Sequence, residues 1–225
     1  MISININNLE KRYGNQSVFN QITIDFESSM IYGLVGPNGC GKTTLMRCIC
    51  GFTQPTGGTI KVLGKQLGKD CDFAPSTGII IEHPGFLPHY SALRNLAILA
   101  GISNKADKER INEVIRLVGL DPNDKKPVGQ YSLGMRQRLG IAQAMMENPS
   151  VLILDEPFNG LDAQGSQEIH QLLQQQKAAG RCILLASHST ADIERACDVV
   201  YEMANGGLKL IRGELTRAKF YNEKE

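Results

Sequence analysis

What this 225-residue chain lacks narrows its function before any motif is read. It has no excess of either charge, with 24 Lys and Arg against 23 Asp and Glu. A nucleic-acid-binding domain usually carries a basic surplus or stripe, so electrostatics point to no nucleic-acid partner. No stretch approaches the roughly 18 apolar residues that span a bilayer, so any membrane role has to come through a partner. Cys40, Cys48, Cys50, Cys71, Cys182 and Cys197 form no C-x-x-C pair and no zinc spacing. Most of them sit in apolar runs, as small hydrophobes suited to a reducing cytosol. The start, Met1-Ile2-Ser3-Ile4-Asn5, lacks the basic-then-apolar layout of a secretory signal. There is no repeat and no low-complexity linker, and the run Gln174-Gln175-Gln176 reads as a solvated helix face. The length suits one domain, 1–225, with room for a subdomain insert.

Against these absences, one segment stands out. Gly36-Pro37-Asn38-Gly39-Cys40-Gly41-Lys42-Thr43-Thr44 matches the phosphate-binding pattern G-x-x-x-x-G-K-[ST]. Its flanks agree. Ile31-Tyr32-Gly33-Leu34-Val35 reads as a buried strand entering the loop, and Thr44 to Ile49 as the helix leaving it. In that context backbone N–H groups and a helix N-terminus converge on phosphates. Lys42 is expected on the β- and γ-phosphates of a nucleoside triphosphate and the Thr43 hydroxyl on Mg²⁺. Cys40, inside the loop, is expected to be within reach of thiol reagents.

Farther along, Val151-Leu152-Ile153-Leu154 is a continuous apolar run, as in a parallel strand covered on both faces, and it ends in Asp155-Glu156. The first carboxylate at such a strand end is placed to hold Mg²⁺, and the second to polarise the attacking water. General-base help of that kind contributes roughly 10²–10⁴-fold in rate.

The remaining pattern supplies an architecture. Ile2, Ile4 and Ile6, then Val18 to Asn20, then Ile22, Ile24 and Phe26 alternate like paired strands. Pro55-Thr56-Gly57-Gly58 is a turn before strands at Thr59 to Leu63 and Thr77 to Ile81. From Ser91 to Met146 the signals become helical, with Ile111, Val114, Ile115 and Val118 on one stripe and Leu139, Ala142 and Met146 on another. Asp121-Pro122-Asn123-Asp124 separates them. A helix is expected near Ser166 to Ala179 and a buried strand at Cys182 to Ala186. Ser189 with Asp192 fits a capping box, and Asn205-Gly206-Gly207 a hairpin turn. The tail from Lys219 reads as charged and frayed. The fold class expected is α/β: a P-loop NTPase parallel-sheet core, an antiparallel β-subdomain, and a helical insert near 84–145.

Tyr131-Ser132-Leu133-Gly134-Met135-Arg136-Gln137-Arg138, shortly before Leu152-Ile153-Leu154-Asp155-Glu156-Pro157, resembles the nucleotide-binding domain of ABC transporters. The resemblance runs from about residue 2 to 215. It implies that Ser132 and Gly134 belong to a signature motif presented to ATP on another subunit, where a hydroxyl, an N–H and a helix N-terminus suit a γ-phosphate. It also implies that Asn159-Gly160-Leu161-Asp162 is the D-loop, that His188 is the switch histidine, and that Tyr13 stacks on adenine. Two departures appear. Glu82 stands where the family usually has a glutamine that touches Mg²⁺ or water, and Leu133 and Met135 replace the usual Gly and Gln of the signature. Leu133 excludes positive φ at little cost. A carboxylate at 82 can still ligate Mg²⁺, with added negative charge near the γ-phosphate.

The Glu82 and Ser-Leu-Gly-Met combination is similar to exporters of the lantibiotic-immunity and bacitracin-resistance branch. It implies a head-to-tail dimer around two ATP, with a second copy or a homologous subunit. An integral membrane permease would hold the ATPase at the cytoplasmic face of the membrane. Pro84-Gly85-Phe86-Leu87-Pro88-His89-Tyr90 is read either as lining a groove for that permease or as internal packing of the insert. Two other classes remain at this point: a soluble ABC ATPase of DNA repair or translation, which would carry long heptads or a tandem domain, and a nucleotide-binding regulator without turnover.

Overall fold

In the computed structural model, which describes residues 1–82 and 84–213, parallel strands alternate their side chains between two cores. The central sheet has the order β10-β9-β3-β8-β7-β6. Its strands are β3 (Met30–Val35), β6 (Thr77–Ile80), β7 (Val151–Asp155), β8 (Cys182–Ala186), β9 (Val199–Ala204) and β10 (Gly207–Arg212). All neighbours pair in parallel except the hairpin β9–β10. Along β7, Val151 and Ile153 enter one core while Leu152 and Leu154 enter the other. Cys182 and Leu184 alternate with Ile183 and Leu185 in the same way on β8. Both faces are covered, which is why these strands read as unbroken apolar runs.

The first core lies between this sheet and a second, antiparallel one of order β2-β1-β4-β5. Here β1 is Ile2–Tyr13, β2 Gln16–Glu27, β4 Gly57–Val62 and β5 Lys65–Gln66. Helix α1 (Lys42–Cys50) contributes Leu45, Met46 and Ile49 to the same core. The apolar alternation at 18–26, interrupted at Asn20 and Gln21, belongs to one strand. β2 runs through with Gln21 at φ 53°, in step with register irregularities along its pairing with β1. An irregularity of this kind bends a strand while keeping its apolar side chains inward.

The second core lies under the helices. Between β6 and β7 the chain makes α2 (Ala92–Ser103), α3 (Lys108–Leu117), a 3₁₀ turn (Val128–Gln130) and α4 (Leu133–Met145). The caps are side chains of the expected type: Ser91 accepts from Arg94 N–H, Asp107 from Arg110 N–H, and Ser132 from Met135 N–H. Beyond β7 come α5 (Ala163–Ala178), capped by Asp162, and α6 (Thr190–Ala196), capped by Ser189, which accepts from Asp192 N–H. Asn205 and Gly206, at φ 51° and 77°, turn the β9–β10 hairpin.

The glutamine run meets the expectation of a solvated face at Gln174 and Gln175, which are exposed, but not at Gln176. Gln176 is buried and accepts from the Arg181 guanidinium, and Gln174, though exposed, donates to the Ala196 carbonyl at 3.0 Å. Periodicity placed the helix, but the tertiary neighbours of its C-terminal turn decided which amides are used. The expected frayed tail from Lys219 lies outside the described residues, as does His83.

Candidate functional site

The carboxyl ends of β3, β6, β7 and β8 converge on one side of the sheet, the usual site of ligands in open α/β sheets. β3 delivers the loop 36–41 and helix α1. Gly36, at φ 145°, has no room for a side chain: a Cβ there would lie 2.5 Å from the Met203 carbonyl oxygen and 3.0 Å from Cys40 Sγ. Gly41 is the N-cap of α1 at φ 111°, and no side chain accepts from the helix's first N–H groups. Those donors, with the positive end of the helix, are left for an external anion. Lys42 is 8% exposed, and its ammonium donates to the carbonyls of Gly36 at 2.7 Å and Pro37 at 3.2 Å, across the loop.

β7 brings Asp155 under α1. The Thr43 hydroxyl donates to Asp155 Oδ2 at 2.7 Å. Burial raises the Asp155 carboxyl above its ordinary value, opposed by the Thr43 hydrogen bond and reinforced by the negative charges of Glu156 and Glu82. A desolvated carboxylate of this kind has an unmet demand for a cation.

Glu156 follows at φ 51°, a left-handed conformation rare for a glutamate. Its backbone N–H extends the sheet by donating to Ala186 O at 2.8 Å, and its carbonyl accepts from Gln137 Nε2 at 3.1 Å. Its side chain is gripped by the segment after β8. Oε1 accepts from His188 N–H at 3.0 Å, while Oε2 meets His188 Nδ1 at 2.9 Å and the Ser187 hydroxyl at 3.2 Å. When the carboxylate is charged, Nδ1 must carry the proton, which leaves Nε2 as the unprotonated nitrogen of a neutral imidazole.

A cavity of about 340 Å³ joins these parts. It is lined by Asn38, Gly39, Gly41, Lys42, Thr43, Thr44, Glu82, Gln137, Asp155, Glu156 and Asn159. The structure therefore brings together most of the loop, Asp155, Glu156 and Glu82. Gly36, Pro37 and Cys40 of the loop are not among the residues lining the cavity, and His188 reaches it through Glu156. Tyr13 stands at the end of β1, 54% exposed, with the Lys11 ammonium 4.6 Å from its ring centroid. Glu82, at φ 62°, points its carboxylate at Arg47, 2.7 Å away.

Ser132, Gly134 and Asp162 do not line the cavity of their own chain. Ser132 is exposed at the N-terminus of α4, and Asp162 is exposed with Oδ1 accepting from Gly165 N–H at 2.8 Å. Leu133 adopts no positive φ and takes the first helical position of α4.

Gln137, Ser187 and Arg47 were not singled out by the sequence reading. Gln137 lies three residues past Gly134 on α4 and so shares its helix face, a signal that helix spacing could have supplied. Ser187 and Arg47 are brought in by tertiary contacts alone.

The family model described as "ABC transporter" matches residues 19–159, more than half of the chain. The chain belongs to the ABC transporter family. This ABC ATPase is 40% identical over 207 residues to the bacitracin transport ATP-binding protein BcrA of Enterococcus faecalis, covering 91% of this chain and 67% of that one. It is 36% identical over 197 residues to the lantibiotic transport ATP-binding protein SrtF of Streptococcus pyogenes, covering 88% and 85%. A solved structure titled "Structure of ATP binding subunit of ABC transporter" superposes with a TM-score of 0.83 at 28% identity, over 93% of this chain and 88% of that one. The fold expected from the motifs is the one observed, and the protein is an ATP-binding and ATP-hydrolysing subunit of an ABC transporter. Among the described residues no helix is long and apolar enough to cross a membrane.

Proposed function

We propose that this subunit powers export of peptide antibiotics of the bacitracin or lantibiotic kind, as two ATPase subunits closing head to tail around two Mg-ATP. The observation that carries the dimer is a site in two separated halves. The loop, Lys42, Asp155 and Glu156 share one cavity, whereas Ser132 and Gly134 sit at the N-terminus of a 13-residue helix outside it. That helix end is an anion-binding element with no anion partner among the described residues of its own chain. A second copy, or a homologous subunit, would bring its Ser132 and Gly134 to the γ-phosphate, with Asp162 and the 159–162 loop near the joint. The names of the BcrA and SrtF relatives support the substrate class.

Gly36, Pro37, Asn38, Gly39, Cys40, Gly41, Lys42, Thr43 and Thr44 would hold the phosphates, and Tyr13 the adenine. Mg²⁺ fits as a shared ligand. Among the described residues no group of three or more His, Cys, Asp or Glu side chains could hold a metal ion. Mg²⁺ commonly takes one or two carboxylates and completes its shell with substrate phosphate and water. Thr43 and Asp155 supply the protein side, with Glu82 on the rim. Bound there, Mg²⁺ would neutralise phosphate charge. Glu156 would accept the proton of the attacking water, and His188, held by Glu156 through Nδ1–H, would donate from Nε2 to the γ-phosphate as the doubly protonated imidazolium.

A second cavity, of about 910 Å³, supports the membrane coupling. It opens beside the cavity for ATP and is lined in part by Phe52, Ile79, Ile81, Pro84, Gly85 and Ile102. Phe52 and Ile102, 54% and 79% exposed, are two large apolar side chains presented on this one groove. The segment 84–90 divides between the two uses foreseen for it. Pro84 and Gly85 line this groove, Phe86 packs on the helical core, and Asn95 fastens the loop by hydrogen bonds to Leu87, Tyr90 and Ser91. A cytoplasmic helix of the permease would seat in the groove, placing the ATPase peripherally on the inner face of the membrane.

Light scattering of Glu156→Gln with and without Mg-ATP tests the shared site. A dimer that forms only with Mg-ATP, and is lost in Glu156→Gln/Gly134→Asp while ATP still binds, is the expected result. A dimer that survives Gly134→Asp would place the interface elsewhere.

A further inference from the structure

The departure at position 82 has a counterpart on α1. Where a neutral amide is usual, Glu82 brings a third carboxylate toward Asp155 and Glu156, in a cavity that must accept a polyanion. Its negative charge is the smallest of the influences that raise the Asp155 carboxyl above its ordinary value, behind burial and Glu156. Uncompensated, this charge would oppose triphosphate binding. Arg47, in the last turn of the helix whose first turn carries Lys42 and Thr43, places its guanidinium nitrogen 2.7 Å from Glu82 Oε1. The side chains are 40% and 62% exposed, and an exposed pair contributes little to folding stability. A helix C-terminus also welcomes a cation on its own account. Neither fact explains why Arg47 meets a carboxylate held at φ 62° on the rim of the ATP cavity.

We propose that Arg47 is a positioning residue for Glu82: the ion pair makes the two side chains together as neutral as an amide and sets where the carboxylate waits for Mg-ATP. The proposal rests on the reading of Glu82 as a ligand on the metal side of the site. Arg47 touches no reacting atom; it acts through Glu82. The pair also occupies a junction. Glu82 lines the ATP cavity, while Ile81 before it and Pro84 two residues after it line the groove proposed for the permease.

The test is a double-mutant cycle on the whole subunit: wild type, Arg47→Ala, Glu82→Gln and the double variant, with Arg47→Lys as the conservative control. The readout is equilibrium affinity for a fluorescent ATP analogue, with Mg²⁺ and with EDTA. Arg47→Ala is expected to weaken Mg²⁺-dependent binding by about three- to tenfold when Glu82 is present. In the Glu82→Gln background the same change should have at most about a third of that effect, and Arg47→Lys should stay within about twofold of wild type. Equal losses in both backgrounds would mean that Arg47 acts directly on the nucleotide or on α1, and no loss in either would mean that the pair is ornamental. Both results overturn the proposal. The underlying reading fails separately, if Glu82→Ala leaves the Mg²⁺ concentration dependence of binding unchanged.

Discussion

Replacing Glu156 by Gln separates chemistry from structure unusually well at this site. The amide keeps the volume and can keep Oε1 accepting from His188 N–H, now at 3.0 Å. The other branch becomes a donor facing His188 Nδ1 and the Ser187 hydroxyl, at 2.9 and 3.2 Å. Both can adapt, the imidazole by moving its proton to Nε2 and the hydroxyl by turning. Two adjustable neutral hydrogen bonds leave folding within about 1 kcal/mol of wild type. For a chain of this size that is a melting shift of roughly 2–4 °C. What the amide cannot do is accept a proton. Loss of a general base predicts a fall of roughly 10²–10⁴ in turnover, about 3–5 kcal/mol of barrier. The assay is phosphate release at saturating Mg-ATP, run beside ATP-analogue affinity and a melting curve. Turnover within about threefold of wild type, with affinity and melting unchanged, would refute Glu156 as the base and shift attention to His188. A large melting loss would instead show that the grip of Ser187 and His188 on the carboxylate holds the strand ends together.

Three further outcomes follow from the geometry. Lys42→Ala should weaken ATP-analogue binding about tenfold or more, since charge-assisted hydrogen bonds to phosphate are lost, with little effect on melting; equal affinity would remove Lys42 from the phosphate site. At pH 8, burial holds the Cys48 thiol at about 11 and those of Cys50, Cys182 and Cys197 at about 12, so iodoacetamide should label only Cys40 and Cys71. Labelling stays low for the four buried thiols until pH approaches those values, and Mg-ATP should protect Cys40 but not Cys71, as peptide mass mapping would show. Gly78→Ala should lower the melting temperature by roughly 4 °C or more, because its Cβ would lie 1.9 Å from the Ala144 carbonyl oxygen, where α4 docks on β6; an unchanged melt would mean that the helical insert docks less tightly than drawn.

Much of this protein was legible in the chain because its chemistry is local. The loop 36–44 owes its shape to glycines and to the strand and helix that abut it, all within twenty residues. The buried strands 151–155 and 182–186 announced themselves because covering both faces removes any polar alternation. Ser189 could be read as a helix start, since a cap acts on backbone three residues away, whereas Asp162, read only as part of a loop, proved to cap α5. The sequence by itself also determined where Asp155 and Glu156 fall, at the end of a strand.

Tertiary structure decided what distant segments do for one another. Periodicity could not tell that Gln176 would be buried and bonded to Arg181 while Gln174 and Gln175 stay exposed, because that depends on the path after α5. Nor could spacing show that Ser187 and His188, 31 and 32 residues beyond Glu156, would close on its carboxylate, or that Arg47 would reach Glu82, 35 positions further along the chain. The separation of Ser132 and Gly134 from the cavity, which makes a partner necessary to the proposed site, is likewise a property of the fold. Such contacts join segments through the packing of sheet and helices, and a linear pattern records only the short-range half of that arrangement.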